Sequence, residues 1–283
     1  LFLPRISVEG SAGIRRLENA TRRALNLADQ TLYPLEANAL AEQVVFDSGG
    51  RSAELKRQAA RTDGAALRVE ERSEFVALNV AREAGVDRVV YLSVIHSDLY
   101  VNVPHFAGKF GVERMIERMG FSATILRPAY FMDNDVTIKD VVLGYGTYPM
   151  PIGARGLAMI AVRDIGEIAA IELIHRHNAT RPLPTAQLHL VGPAPLTGAD
   201  VAAIWSDVLH RPIAYGGDDT AAFEQNLRQF LPAWMAYDMR LMSERFLTDG
   251  MVPEAGDVAR LVALLGRPPR SYRDFAAGIA AAA

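Results

Sequence analysis

His105 and Lys109 stand four residues apart in HFAGK, a spacing that puts an imidazole and an ammonium on one helix face. The imidazole can relay a proton, and the ammonium can donate hydrogen bonds to a hydroxyl or to an oxygen gaining negative charge. Ser93 closes one short apolar run, Val89–Ser93, and Pro128 and Tyr130 follow a second, Ser122–Leu126. Three of them have a plainer alternative. His105 could be a half-solvated helix-start residue beside Pro104, Lys109 a solvated helix charge, and Ser93 a strand-end hydrogen-bonding group.

The elements that position these residues follow from periodicity. Val89–Ser93 is apolar and partly β-branched up to its closing hydroxyl residue, and a helical pattern then runs from about His105 to Met119. Val112, Met115, Ile116 and Met119 recur on one face of that helix, and Gly120 closes it. Ser122–Leu126 is the next β run, and Arg127-Pro128 ends it because proline cannot continue a ladder. Strand, helix and strand at this spacing form a βαβ unit with parallel strands. In such sheets ligands bind beyond the carboxyl ends of the strands, where Ser93, Pro128 and Tyr130 fall. His105 and Lys109 open the helix between.

The motifs YLS, PHFAGK and TILRPAYFMDN resemble the NmrA-like branch of the atypical short-chain dehydrogenases/reductases. The tail SYRDFAAGIA is similar to the end of that family, and the resemblance covers about Ser73 to Phe275. It implies a Rossmann-like doubly wound parallel α/β sheet that binds NAD(P), with a smaller carboxyl-terminal α/β substrate lobe. The expected division is 1–150 for the first part and 151–283 for the second, partly integrated with it. Typical short-chain dehydrogenases carry Tyr-x-x-x-Lys on this helix, and His105 and Lys109 take those positions here. The resemblance implies that Lys109 holds the nicotinamide ribose or an acceptor oxygen, and that Pro128 and Tyr130 line the ring pocket.

The first 70 residues are more divergent. Arg5–Gly13 reads RISVEGSAG, a β run into Gly10 and Gly13, with a helical pattern from Ile14. A dinucleotide-binding turn needs such glycines for close backbone approach and a helix amino terminus for the phosphates. The resembled turn has a third glycine where this chain has Arg16, which would hold helix from strand and weaken the site. An ordinary glycine turn is the alternative. Thr31–Leu35, Gln43–Phe46 and Ala65–Val69 read as further thin strands, and Ser52 as the cap of a helix to about Arg61. Asp47 ends the second of these strands, and the resemblance puts an acidic residue there near the adenine. A solvated turn in DSGGRS explains it as well. No residue at the ribose-contacting position separates NAD(H) from NADP(H); NADP(H) is slightly preferred.

Past the central unit the expectations are a helix over Val136–Leu143, a strand over Leu157–Val162 and a helix from Asp164 to His175. Gln187–Val191 and Ile213–Tyr215 read as strands, with a helix from Leu196-Thr197 to Leu209. Residues 219–249 read as helical with a break at Pro232. Phe223, Phe230, Trp234, Tyr237, Met239 and Met242 in that stretch are expected mostly in the core, or in part as the wall of a cleft for a planar substrate.

Composition bounds the function classes. The 283 residues are 50% hydrophobic and 22% charged, ordinary for a globular chain with ample core. A formal net charge of −3 gives no basic field for nucleic acid. No cysteine excludes disulfides and thiol catalysis, which suits a reducing cytoplasm. No apolar run reaches the roughly 18–20 residues of a membrane span, and no signal-peptide pattern opens the chain. His175 and His177 lack a third ligand at recognisable spacing, so no metal is expected. Together with the resemblance, the expectation is a cytoplasmic monomer or homodimer, which the resemblance implies to be an NAD(P)H-dependent reductase of a quinone or another planar small molecule. The alternatives are a nucleotide-sensing regulator acting on a protein partner without turnover, and a relative that has lost its cofactor site.

Overall fold

The computed structural model describes residues 74–282, apart from 75, 76, 80 and 84. The expectations for Gly10, Gly13, Arg16, Asp47 and the elements before Ser73 lie outside the described residues. The named elements are β1 (Arg88–Leu92), α1 (Pro104–Met119), β2 (Ser122–Pro128), α2 (Lys139–Tyr145), β3 (Thr147–Tyr148), α3 (Val162–Asn178), β4 (Ala186–Leu190), α4 (Gly198–Leu209), β5 (Ala214–Tyr215), α5 (Thr220–Leu227), α6 (Ala233–Thr248), α7 (Asp257–Leu265) and α8 (Tyr272–Ala281).

The central unit folds as its pattern requires. β1, β2 and β4 lie in one sheet in the order β1-β2-β4. The ladder is parallel: Ser122 N–H donates to Asp87 O at one end, and Ser93 N–H to Leu126 O at the other. Gly120 ends α1 with φ 71, a left-handed turn that a side chain would strain. Pro128 sits at the last position of β2, where its missing N–H costs nothing and its carbonyl accepts from Ile95 N–H at 2.9 Å.

The described chain falls into two compact units. The first takes the described residues up to Leu92, with Ala107–Ile125 and Glu172–Ala186. Leu78, Ala81, Val89, Tyr91, Val112, Ile116, Phe121, Ala123 and Ile125 form its core, with Met115 and Met119 packed at the margin. The apolar stripe read along α1 is therefore the face it buries. Arg176, in the last turn of α3, is buried. It donates to Thr124 Oγ1 at 2.5 Å and Ser122 Oγ at 2.9 Å, while Glu172 accepts from Thr124 at 2.7 Å. Arg88 covers the last carbonyls of α3 at Arg176 and His177, both at 2.9 Å.

The second unit holds Ser93–Phe106, Leu126–Ile171 and Gln187–Ala283. Its short strands β3 and β5 pair in parallel, Thr147 with Ala214 and Tyr148 with Tyr215. Thr197 and Ser271 start α4 and α8 with full capping boxes through Asp200 and Asp274. Pro232 marks the break expected in 219–249, at the amino end of α6.

Other expectations are corrected. Leu157–Val162 forms no strand; Leu157 and Ile160 make single bridges to Leu196, Met251 and Phe131. Leu157 and Ile160 are fully buried, so their apolar run records burial rather than a ladder. Phe230, Trp234 and Tyr237 are 82%, 38% and 49% exposed, so the core reading fails for them and holds for Met242. Residues Met132–Ile138 wind as a 3₁₀ turn before α2, and α7 was not anticipated.

Asp164 ties the carboxyl-terminal segment down. It is fully buried, accepts from Arg270 N–H at 2.7 Å and Arg267 Nη2 at 2.8 Å, and also pairs with the Arg270 guanidinium. Asp164→Asn keeps the shape but weakens charge-assisted bonds, and should cost about 2 kcal/mol in urea unfolding. An unchanged midpoint would show that the two arginines contribute nothing to holding α8.

Candidate functional site

Lys109 belongs to the first unit and is not a solvated helix charge. Its side chain is 12% exposed and its Nζ donates to Glu74 Oε1 at 3.2 Å. The same ammonium lies 5.8 Å from the centroid of the Tyr91 ring, and Tyr91 donates its hydroxyl to Glu74 Oε2 at 3.1 Å. Glu74, with its side chain 5% exposed, thus sits among a cation and a phenol that offset its desolvation. Nothing in ERSEF marks Glu74 as anything but a surface charge, so sequence reading had no signal for it.

His105 belongs to the second unit and has its own carboxylate. Nδ1 lies 2.9 Å from Asp238 Oδ2, with side chains 25% and 4% exposed. Phe106 packs on the imidazole at 4.1 Å between centroids, and Tyr100 stacks on Phe106 at 5.7 Å. The ring is therefore held on one edge by a carboxylate and on one face by an aromatic. Asp238 comes from α6, 133 residues away along the chain, and only tertiary structure reveals it.

Ser93 is buried, and its N–H lies in the ladder to Leu126 at 2.7 Å. Pro128 presents its carbonyl to Ile95 at 2.9 Å. Tyr130 is buried with its hydroxyl donating to Asp135 Oδ1 at 2.8 Å. Burial, and then the neighbouring Asp135 charge, raise its pKa well above the ordinary tyrosine value. A phenol so placed is a poor proton donor, and what remains to it is the ring.

Asp135 is the third residue that the sequence concealed. Besides Tyr130 it accepts from Tyr148 at 3.1 Å and Tyr272 at 2.5 Å, both on Oδ2, and Trp205 Nε1 donates to the Tyr272 oxygen at 3.0 Å. Desolvation pushes the Asp135 carboxyl up to about 6, against the three hydroxyl donors that favour its charged form.

The donor chemistry here suits the ribose of a dinucleotide. An ammonium carries three N–H donors, and Lys109 keeps an accessible margin beside β1 while its charge is balanced by Glu74. Among the described residues no cluster of acidic and histidine groups could hold a metal ion, and no helix is long and apolar enough to cross a membrane.

The profile of the NmrA-like family matches residues 62–254. A relative, the NAD(P)H azoreductase of Xenophilus azovorans, is 26% identical over 208 residues, covering 72% of this chain and 69% of its own. Among solved structures, the NADPH-dependent quinone oxidoreductase of Escherichia coli in complex with NADPH superposes with a TM-score of 0.66 at 19% identity, over 95% of this chain and 98% of the other. The Citrobacter sp. triphenylmethane reductase complexed with NADP(H) gives 0.65 at 16% identity, over 93% and 96%. The two structural likenesses show the Rossmann-like α/β fold that the resemblance implied.

Proposed function

The chain belongs to the NmrA-like family, and on that footing we propose that it is an NAD(P)H-dependent reductase of a quinone, azo dye or similar planar acceptor. The observation that carries this reading is the similarity to the azoreductase across most of both chains. The part-buried, charge-balanced lysine at the family's lysine position supports it. The dinucleotide, NADP(H) or NAD(H) with NADP(H) slightly preferred, supplies the hydride. Lys109 would position a ribose hydroxyl or stabilise the oxygen that gains negative charge. Ser93 and Pro128, at the strand ends, would border the nicotinamide, with Gly10, Gly13 and Asp47 toward the phosphates and adenine. The Tyr130 ring would line the pocket, and His105 would deliver a proton.

Calorimetric titration with NADPH and NADH in parallel, followed by acceptor-dependent loss of NADPH absorbance, tests the reading. Micromolar or tighter binding together with turnover is expected. Tight binding without turnover on quinones or azo dyes would favour the nucleotide-sensing regulator, and no binding would favour a lost cofactor site.

Trp234 lies one turn before Asp238 on α6 and is 38% exposed. A half-exposed indole there suits stacking on a flat acceptor, an interaction worth about 0.5–1.5 kcal/mol. Trp234→Ala should therefore raise the acceptor KM by roughly three- to tenfold with kcat nearly unchanged. An unchanged KM in steady-state kinetics would place Trp234 outside the acceptor site.

A further inference from the structure

Asp238 is a carboxylate with a side chain 4% exposed, inside a helix, and its Oδ1 has no hydrogen-bond partner among the described residues. A fold does not gain by burying such a group. Desolvating a carboxylate is costly, and an ion pair of good geometry does little more than offset that cost. Its hydrogen bond among the described residues goes to Nδ1 of His105 at 2.9 Å. A carboxylate can only accept, so Nδ1 must donate. That fixes the neutral ring with its proton on Nδ1, and leaves Nε2 as the atom that gains and loses the second proton. Phe106 limits rotation of the ring by packing on it at 4.1 Å, and the imidazole keeps 25% of its side chain exposed.

We propose that Asp238 is the positioning residue for His105, holding Nε2 as the proton donor to the reduced acceptor. The inference rests on the reductase reading and adds to it the residue that orients the donor. Hydride transfer oxidises NAD(P)H and brings the acceptor two electrons and one hydrogen, leaving a negative charge on its oxygen or nitrogen. The Nε2–H bond of the imidazolium then breaks as an O–H or N–H bond forms on the acceptor. The neutral imidazole keeps its Nδ1–H on Asp238, and Nε2 regains a proton from solvent. Histidine with a buried carboxylate thus takes over the proton-transfer work at the position where typical short-chain dehydrogenases carry tyrosine. Asp238 touches neither acceptor nor cofactor in this scheme.

The test has two arms. In the first, imidazole ¹⁵N spectra of the whole chain are recorded without cofactor for the parent and Asp238→Asn, with His105 assigned from its loss in His105→Gln. The parent should show His105 as the Nδ1–H tautomer, and Asp238→Asn should shift it toward Nε2–H. In the second, steady-state kinetics with NADPH and a quinone should show kcat reduced about tenfold or more in Asp238→Asn. That is part of the roughly 10²–10⁴ that a positioned proton donor contributes, and it should come with little change in acceptor KM. His105→Gln should lose at least as much. A merely structural Asp238 would lower the unfolding midpoint but leave both tautomer and kcat in place, and that result overturns the proposal. A parent that binds NADPH but turns over no acceptor overturns the reductase reading and the proton-delivery step with it. The imidazole spectra still decide whether Asp238 orients the ring.

Discussion

Lys109→Met is expected to lower stability and turnover together, and pairing it with Glu74→Gln should separate the two. The methionine keeps the stem over Tyr91 but removes the cation 3.2 Å from Glu74 Oε1. A carboxylate 5% exposed then loses the charge that balances it, and breaking such a buried pair costs on the order of 3 kcal/mol. Glu74→Gln in the same protein removes the negative charge while keeping an oxygen to accept from the Tyr91 hydroxyl, now 3.1 Å away. The double variant should therefore recover most of the lost stability in urea unfolding, an interaction of opposite sign to the single effects. What it should not recover is turnover. If Lys109 stabilises charge that develops on the acceptor, kcat of the double variant stays about 10²-fold below the parent, equivalent to about 3 kcal/mol. If Lys109 instead holds the ribose, the deficit appears as weaker NADPH binding by calorimetry. A double variant that folds, binds and turns over like the parent would make the lysine a structural partner of Glu74 and remove it from the chemistry.

Positions along α1 were legible because helix periodicity is local. The stripe Val112–Met119, the stop at Gly120 and the spacing of His105 from Lys109 all follow from neighbours within two turns. Strand pairing was legible too, since a helix of that length between two β runs allows little but a parallel crossover. The partners of the chemical residues were not. Asp238 approaches His105 across 133 residues and Asp135 meets Tyr272 across 137, distances at which sequence carries no contact signal. Glu74, Asp135 and Asp238 also look like ordinary surface acids, because burial of a charge is decided by what surrounds it in space. The exposed Phe230, Trp234 and Tyr237 fail in the opposite sense. Large apolar residues are read as core by default, although a folded surface is itself largely apolar. The run Leu157–Val162 shows a third cause: a short, fully buried apolar segment has no periodicity to distinguish a strand from irregular chain.

Asp135 should make the protein lose stability as pH rises from about 4 to about 6, against the usual trend for carboxylates. Its folded-state pKa is pushed up to about 6, above the ordinary aspartate value of 3.8, chiefly by burial. Between those values the folded protein binds a proton that the unfolded chain has released. Stability from this group is thus complete below the unfolded pKa and declines until pH passes the folded one, by about 3 kcal/mol in all. Asp200 and Glu167, whose pKa values are lowered in the fold, act in the other direction, so the parent's pH profile alone does not isolate Asp135. Asp135→Asn does. The amide never titrates in this range, accepts from Tyr130, Tyr148 or Tyr272 through its oxygen, and can donate to a phenolic oxygen through its nitrogen. Relative to the parent, the asparagine variant should gain about 2.4 kcal/mol on going from pH 4 to pH 7, measured by urea unfolding at each pH. Asp135→Ala should instead be destabilised at every pH by roughly 3–9 kcal/mol, because three buried hydroxyls lose their acceptor at about 1–3 kcal/mol apiece. A stability difference between parent and Asp135→Asn that stays flat from pH 4 to 7 would mean that the three tyrosine donors fully offset burial, and that Asp135 is ionised in the fold as readily as in the unfolded chain.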